Sequence, residues 1–218
     1  MSQGSSSSPG TCPACGEGLE TPLGCKACGA MYPPQAELDP YQAFGLEARY
    51  DLDESDLRKR LVRFSRLFHP DFHAGDPEAR ERAERCTAEL NAAHELLAAK
   101  PRRADHLVRA LGGPDQESER QMPQVFLMEV LEWNETLEEA QAAEASPELE
   151  TRLNALASEL DEHRADTLES IGAALTPLPE PGAAVLVEVR QKLNALRYLD
   201  RALGTLRELK LSRPAGRA

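Results

Sequence analysis

Four cysteines near the amino terminus, Cys12, Cys15, Cys25 and Cys28, and the tripeptide His69-Pro70-Asp71 are the residues of this 218-residue chain whose types and spacing could do chemistry. The cysteines form two Cys-x-x-Cys pairs separated by nine residues, and a glycine, Gly16 or Gly29, directly follows each pair. A tight turn at each glycine would let backbone amides point at the thiolates. Four thiolates in this pattern suit a closed tetrahedral zinc site, with Zn–S distances of about 2.3 Å. So small a segment has almost no core, so metal binding would supply its folding energy. Two disulfides or two redox-active pairs are the alternatives. A reducing compartment disfavours the first, and the second wants a βαβ setting that this segment lacks. Because four sulfur ligands leave no open coordination position, the expected Zn2+ is structural and an enzymatic role for it is disfavoured.

The tripeptide follows a helical pattern over 56–68. Leu57, Leu61, Phe64 and Phe68 recur at fours and threes and form an apolar stripe. Lys59, Arg63 and Arg66 repeat on the opposite side, and no acid lies between Arg58 and Phe68. Such a face is either an ordinary solvated surface or a cationic docking surface. Pro70 disfavours the helical conformation at His69, so the helix should stop there and show His69 and Asp71 on a loop beside the cations. Nothing nearby resembles a nucleophile or a substrate pocket, so the residues around His69 do not support a general-base role for it.

Other elements must hold these residues in place. A short helix over 39–46 is closed by Gly45, and a third helix over 77–99 opens with Asp76 as cap and Pro77 at its first position. Its stripe is Ala83, Cys86, Leu90, Ala93 and Leu97, which makes Cys86 a small buried hydrophobe. Pro101 ends that helix, and a short fourth one runs to Gly112-Gly113. Beyond a linker over 112–121, Pro123 opens a helix to about 145 with Phe126, Val130, Trp133 and Leu137 as its core stripe. Leu127, Met128 and Leu131 lie off that stripe, with Glu132, Glu135 and Glu139 sharing or flanking their side. Between Glu129 and Glu150 there are eight acids and no Lys or Arg. Either another helix of the same domain covers the apolar trio or a partner does. Ser146-Pro147 caps a helix with a Leu149, Leu153, Leu156 and Leu160 stripe. After a Pro-rich break at 176–182, a last helix over 183–210 buries Val185, Val189, Leu196 and Leu203, with Tyr198 on the far side. Three such helices make a bundle. The remaining histidines, His73, His94, His106 and His163, have no ligand spacing and read as surface or boundary residues.

Charged residues at 28% and aromatics at only 5%, with few β-branched runs, favour an all-α fold. The expected layout is a flexible head over 1–10, the tetracysteine segment over 11–32, a helical hairpin domain over 39–113 and a three-helix bundle over 121–212. A net charge of −12 disfavours nucleic-acid partners. No apolar run suits a membrane span and no targeting stretch is visible, so a soluble cytoplasmic protein is expected.

The basic helix, His69-Pro70-Asp71 and the stretch Asn91-Ala92-Ala93-His94-Glu95-Leu96-Leu97 together resemble a J-domain. Phe44-Gly45-Leu46, Tyr50, Leu52, Phe126-Leu127-Met128-Glu129 and Leu196-Arg197-Tyr198-Leu199-Asp200 extend the likeness over 39–212 to the HscB-type co-chaperones of iron–sulfur cluster assembly. A few of these carry a comparable cysteine-rich head. The resemblance implies that His69, Pro70, Asp71, Lys59, Arg63 and Arg66 engage an HscA/DnaK-type chaperone and stimulate its ATPase, so that hydrolysis belongs to the partner and this chain is not an enzyme. It further implies that Leu127, Met128, Leu131, Glu132, Glu135, Glu139 and Tyr198 hold an IscU-type cluster scaffold. Five positions depart from the family pattern or dilute it. Phe68 stands where many J-domains have Tyr, Phe72 where Lys is common and Tyr198 where Phe is expected, while Asn134 and Thr136 dilute the acidic pattern. A general J-protein for other clients is a rival reading. A zinc-containing nucleic-acid adaptor is another, weakened by the single Lys and absent Arg between Cys12 and Cys28. A monomer is expected, with self-association left open.

Overall fold

The computed structural model describes residues 10–34, 36–122, 124–144 and 146–212. Among them the fold is all-helical: α1 (Pro40–Ala43), α2 (Glu54–Leu67), a 3-10 turn (Pro70–His73), α3 (Pro77–Ala98), α4 (Lys100–Ala110), α5 (Gln124–Ala142), α6 (Pro147–Ala174) and α7 (Val185–Ser212). The cysteine segment carries only isolated bridges, Thr11 with Gly18 and Gly24 with both Thr21 and Met31. Two compact units divide the chain, Met1–Arg103 and Ala104–Ala218, with the division inside α4. No helix among the described residues is long and apolar enough to cross a membrane. The serines at 5–8 and the expected ends of α5, Pro123 and Ala145, lie outside the described residues.

In the amino-terminal unit, aspartates start the helices by accepting otherwise unsatisfied amides. Asp39 takes the amides of Tyr41 and Gln42, and Asp76 that of Ala79. The second helix begins two residues earlier than its apolar pattern suggests, because Asp53 caps it by accepting from Ser55 and Asp56 at 2.8 and 3.1 Å. Asp56 instead pairs with Arg60 one turn on, at 2.7 Å. Leu57, Phe64 and Phe68 from the α2 stripe are buried against Ala79, Ala83, Cys86, Leu90, Ala93 and Leu97 of α3. Leu61, expected in the same stripe, is only half-buried. Phe44 is fully buried, with ring centroids 6.2 Å from Phe64 and 6.4 Å from His94. The backbone turns extended at Ala99, and Pro101 falls in the first turn of α4, where its missing amide costs no helical hydrogen bond.

The carboxy-terminal unit is a bundle of α5, α6 and α7. Its core takes Phe126, Trp133 and Leu137 from α5, and Leu149, Leu153, Leu156, Leu160 and Ile171 from α6. From α7, Leu186, Val189, Leu193, Leu196, Leu199, Leu203 and Leu206 join it at helical spacing. Leu186 opens this stripe in place of Val185, which is half-buried. Ser146 caps α6 by accepting from the Leu149 amide at 3.2 Å. The 112–121 stretch is not a free linker. Arg190, buried on α7, donates to the Pro114 carbonyl at 2.9 Å and to Asp105 at 2.5 Å, while Asn194 donates to the Glu119 carbonyl at 2.8 Å.

Replacing Arg190 with Ala removes a charge-assisted bond and orphans the Pro114 carbonyl. The expected loss is about 2 kcal/mol of stability in the carboxy-terminal unit, read by urea unfolding.

Candidate functional site

The two cysteine knuckles repeat one hydrogen-bond pattern. In the first, the Gly16 amide donates to the Cys12 carbonyl at 2.8 Å and the Cys12 amide to the Glu17 carbonyl at 2.7 Å. In the second, Gly29 donates to Cys25 and Cys25 to Ala30, each at 2.9 Å. Each glycine sits at positive φ, 77° for Gly16 and 73° for Gly29, which a side chain would strain. The pattern gathers four sulfurs within 4.8 Å of one another. Cys12 and Cys28 sulfurs are 3.6 Å apart and those of Cys15 and Cys25 3.7 Å. A tetrahedral ion with metal–sulfur bonds of about 2.3 Å has edges of about 3.8 Å, so the four residues fit such an ion. These separations far exceed a disulfide bond of about 2.05 Å, and all four thiols are free. Amides aimed at a sulfur include those of Ala14 and Cys15, which donate to Cys12, and that of Glu17, which donates to Cys15. Tyr32, which sequence reasoning missed, places its hydroxyl 3.1 Å from the Cys12 sulfur. That contact is the main reason the Cys12 thiol is pulled down to about 6, toward the thiolate form that a metal requires, while, against the Glu17 amide, Cys28 and the other neighbouring thiols push Cys15 up to about 12.

The stretch between the knuckles is packed on the helices of the same unit. Thr21 donates its hydroxyl to the Ala43 carbonyl at 2.7 Å, and Leu23 is fully buried. The Cys86 thiol, which burial pushes up to about 11, donates to the Leu23 carbonyl at 3.5 Å. Arg85 reaches the Pro34 carbonyl at 3.1 Å. Glu20 pairs with Arg63 of α2 at 2.9 Å and also with Lys26. The Lys26 bond first, and Arg63 after it, hold the Glu20 carboxyl below its ordinary value.

At the end of α2 the loop expected around His69 is a 3-10 turn. His69 caps it, its Nδ1 accepting from the Asp71 amide at 3.3 Å. His69, Asp71 and Phe72 are exposed, Pro70 is half-buried, and the Phe72 ring lies 5.6 Å from the imidazole. Lys59, Arg63 and Arg66 are exposed and, with Ser55, Arg58 and Val62, line an open groove along α2. The helix itself contributes no acid to this face, but the cysteine segment brings Glu20 to it. Val62, an exposed apolar residue amid the cations, was also not singled out by the sequence pattern.

On the carboxy-terminal unit, no helix among the described residues covers the trio on α5. Leu127, Met128 and Leu131 are 44%, 58% and 62% exposed, which decides against burial within the bundle. Glu132 and Glu135 are exposed beside them, and Glu139 pairs with Arg152 of α6 at 3.1 Å. Val125, exposed and one turn before Met128, extends the patch; its spacing was the available signal. Tyr198 is exposed, its ring 6.2 Å and edge-on from the buried Phe126. His163 is a boundary residue. It is edge-on to Phe126 at 5.7 Å and to Trp133 at 5.8 Å, with Nδ1 3.7 Å from Glu129.

The family model described as the HSCB C-terminal oligomerisation domain matches residues 122–207. The chain is 34% identical over 145 residues to the co-chaperone protein HscB homolog of Cupriavidus taiwanensis, covering 65% of this chain and 79% of that one. It is 28% identical over 152 residues to the iron-sulfur cluster co-chaperone protein HscB homolog of Arabidopsis thaliana, spanning 69% of this chain and only 57% of that relative. Its fold is similar to the crystal structure of human co-chaperone protein HscB, with a TM-score of 0.73 at 21% identity, over 93% of this chain and 100% of that one. On the extent of the bacterial match, with the carboxy-terminal family match beside it, the chain belongs to the HscB family of co-chaperones.

Proposed function

We propose that this chain is an adaptor co-chaperone of iron–sulfur cluster assembly. Its carboxy-terminal bundle captures an IscU-type scaffold, and its amino-terminal unit engages an HscA/DnaK-type chaperone and stimulates ATP hydrolysis there. The observation that carries this reading is the uncovered trio Leu127, Met128 and Leu131 beside the carboxylates of Glu132 and Glu135. An apolar strip with an acidic fringe is suited to a partner whose surface offers apolar pockets rimmed by cations. Tyr198 adds a ring with a polar end, a residue type favoured at interfaces. The exposed His69 turn and the cations of α2 support the second half of the reading. They suit an acidic chaperone surface, with His69, Pro70 and Asp71 acting by contact in a partner that holds the nucleotide. The name of the Arabidopsis thaliana relative, an iron-sulfur cluster co-chaperone, supports the co-chaperone role in cluster assembly.

The same reading makes the tetracysteine group a structural zinc site. Four thiolates close the coordination shell, and the ion would tie the two knuckles together around the Thr21–Cys25 turn.

His69→Gln is expected to reduce ATPase stimulation to the unstimulated rate while scaffold affinity, measured by calorimetry, is unchanged; retained stimulation contradicts the mechanism. Joint alanine substitution of Leu127, Met128 and Leu131 should weaken scaffold binding on the order of 100-fold, about 3 kcal/mol, without altering the melting temperature. Unchanged affinity would favour other clients. Metal analysis should return one zinc per chain. Its removal by a chelator should speed amide exchange in α3 but not in α7, with a loss of about 4 kcal/mol relative to zinc at a thousandfold excess over its dissociation constant.

A further inference from the structure

Phe68 is the last core residue before the His69 turn, and it is fully buried. Three contacts fix it. Its amide closes α2 on the Phe64 carbonyl at 3.0 Å, and its carbonyl accepts the Thr87 hydroxyl of α3, also at 3.0 Å. The third contact comes from the cysteine segment. A Cβ placed on Gly24 would stand 2.5 Å from Cε1 and 3.2 Å from Cζ of the Phe68 ring, and 2.9 Å from the Ala30 carbonyl oxygen. Gly24 is not among the glycines at positive φ. Space, not backbone conformation, is therefore what requires glycine there. The ring cannot move toward the knuckle, and the knuckle cannot yield easily, because the Ala30 carbonyl is held by the Cys25 amide at 2.9 Å.

Within the turn, the imidazole of His69 touches Asp71 and Phe72, both of the same short stretch. The turn also packs directly on α3, and the residue through which it leaves α2 is the buried Phe68. We infer that the turn between the two cysteine knuckles is a positioning element for the His69-Pro70-Asp71 turn: Gly24 is the wall against which Phe68 is set, and Phe68 sets His69. Glu20, four residues earlier, fixes Arg63 of the neighbouring cationic face in the same way. The cysteine segment thus acts on the chaperone-contact surface from behind at Gly24 and joins it at its edge through Glu20. This rests on the reading that the turn stimulates a chaperone ATPase.

The test is a reciprocal exchange of volume across the Gly24–Phe68 contact, made in the full chain. Stimulated ATPase of a DnaK-type chaperone is titrated with wild type, Gly24→Ala, Phe68→Leu and the double variant. Absorption of the cobalt-loaded protein reports the four-thiolate site, and His69 and Phe72 chemical shifts report the turn. Gly24→Ala is expected to keep the cobalt spectrum, shift the His69 and Phe72 resonances and lower maximal stimulation roughly fivefold, with little change in the half-saturating concentration. Phe68→Leu in that background should restore at least half of the loss, because the shorter side chain vacates the space that the new methyl needs. Full stimulation by Gly24→Ala with the site intact overturns the inference, and so does a double variant no better than the single. Should Gly24→Ala fail to fold or lose its metal, Phe68→Leu alone decides. It leaves every ligand in place, and undiminished stimulation by it overturns the inference. A wild-type chain that stimulates no DnaK-type ATPase defeats the functional reading itself, and the inference with it. An active wild type matched by Gly24→Ala defeats only the positioning role.

Discussion

The seam in which Leu23, Phe68 and Cys86 are buried is the constraint on which the amino-terminal unit depends. On one side it carries the stretch between two pairs of cysteines, and on the other the ends and middles of α2 and α3. A segment of this size has too little apolar surface to fold alone. Here it gains what it lacks from the helices, through the Leu23 side chain, the Thr21 hydroxyl on Ala43 and the Leu23 carbonyl under Cys86. The helices gain a cover for Phe68 in return. A metal held by the four thiolates would therefore stabilise more than the knuckles, since the residues it brackets are core residues of the whole unit.

Both units follow the same economy of surface. In each, one helical stripe is buried and fixes the element, while residues off that stripe are left facing out. On α2 the buried stripe is Leu57, Phe64 and Phe68, and the outward residues are cations around Val62. On α5 it is Phe126, Trp133 and Leu137, and the outward residues are Leu127, Met128 and Leu131 beside carboxylates. Because these side chains stand on well-packed helices, covering them would order side chains but not backbone. The opposite charge of the two surfaces discourages one partner from occupying both.

Much of this was legible in the sequence, for physical reasons that differ by element. Of the α3 stripe only Ala79 was missed, since Ala83, Cys86, Leu90, Ala93 and Leu97 are all buried as read, and a long helix with a single apolar face leaves no rival register. The place of Leu127, Met128 and Leu131 off the core stripe followed from the same geometry, but their exposure did not, since helical spacing cannot say whether another helix covers them. The start of α2 was not fixed, because Asp53 and Asp56 are both competent caps and an apolar period cannot choose between acids three residues apart. Pro70 announces that His69 is not helical but not that the following residues wind into a 3-10 turn. The contacts of Tyr32 with Cys12, Glu20 with Arg63 and Gly24 with Phe68 join residues far apart in the chain. No local spacing encodes them. The linker was misread for a related reason. Its composition is polar, yet Arg190 and Asn194, dozens of residues later, pin it by its backbone carbonyls.

The nine residues separating Cys15 from Cys25 are governed by two masters. A metal alone would accept spacers of many lengths, since an intervening loop can bulge into water at small entropic cost. Here Glu20, Thr21, Leu23 and Gly24 each meet a particular place on the helices beneath. Adding or deleting one residue would throw those four out of step while leaving every sulfur available. The interval between the knuckles is thus a length standard read against the helices, and the spacing that first advertises a metal site is set in part by protein.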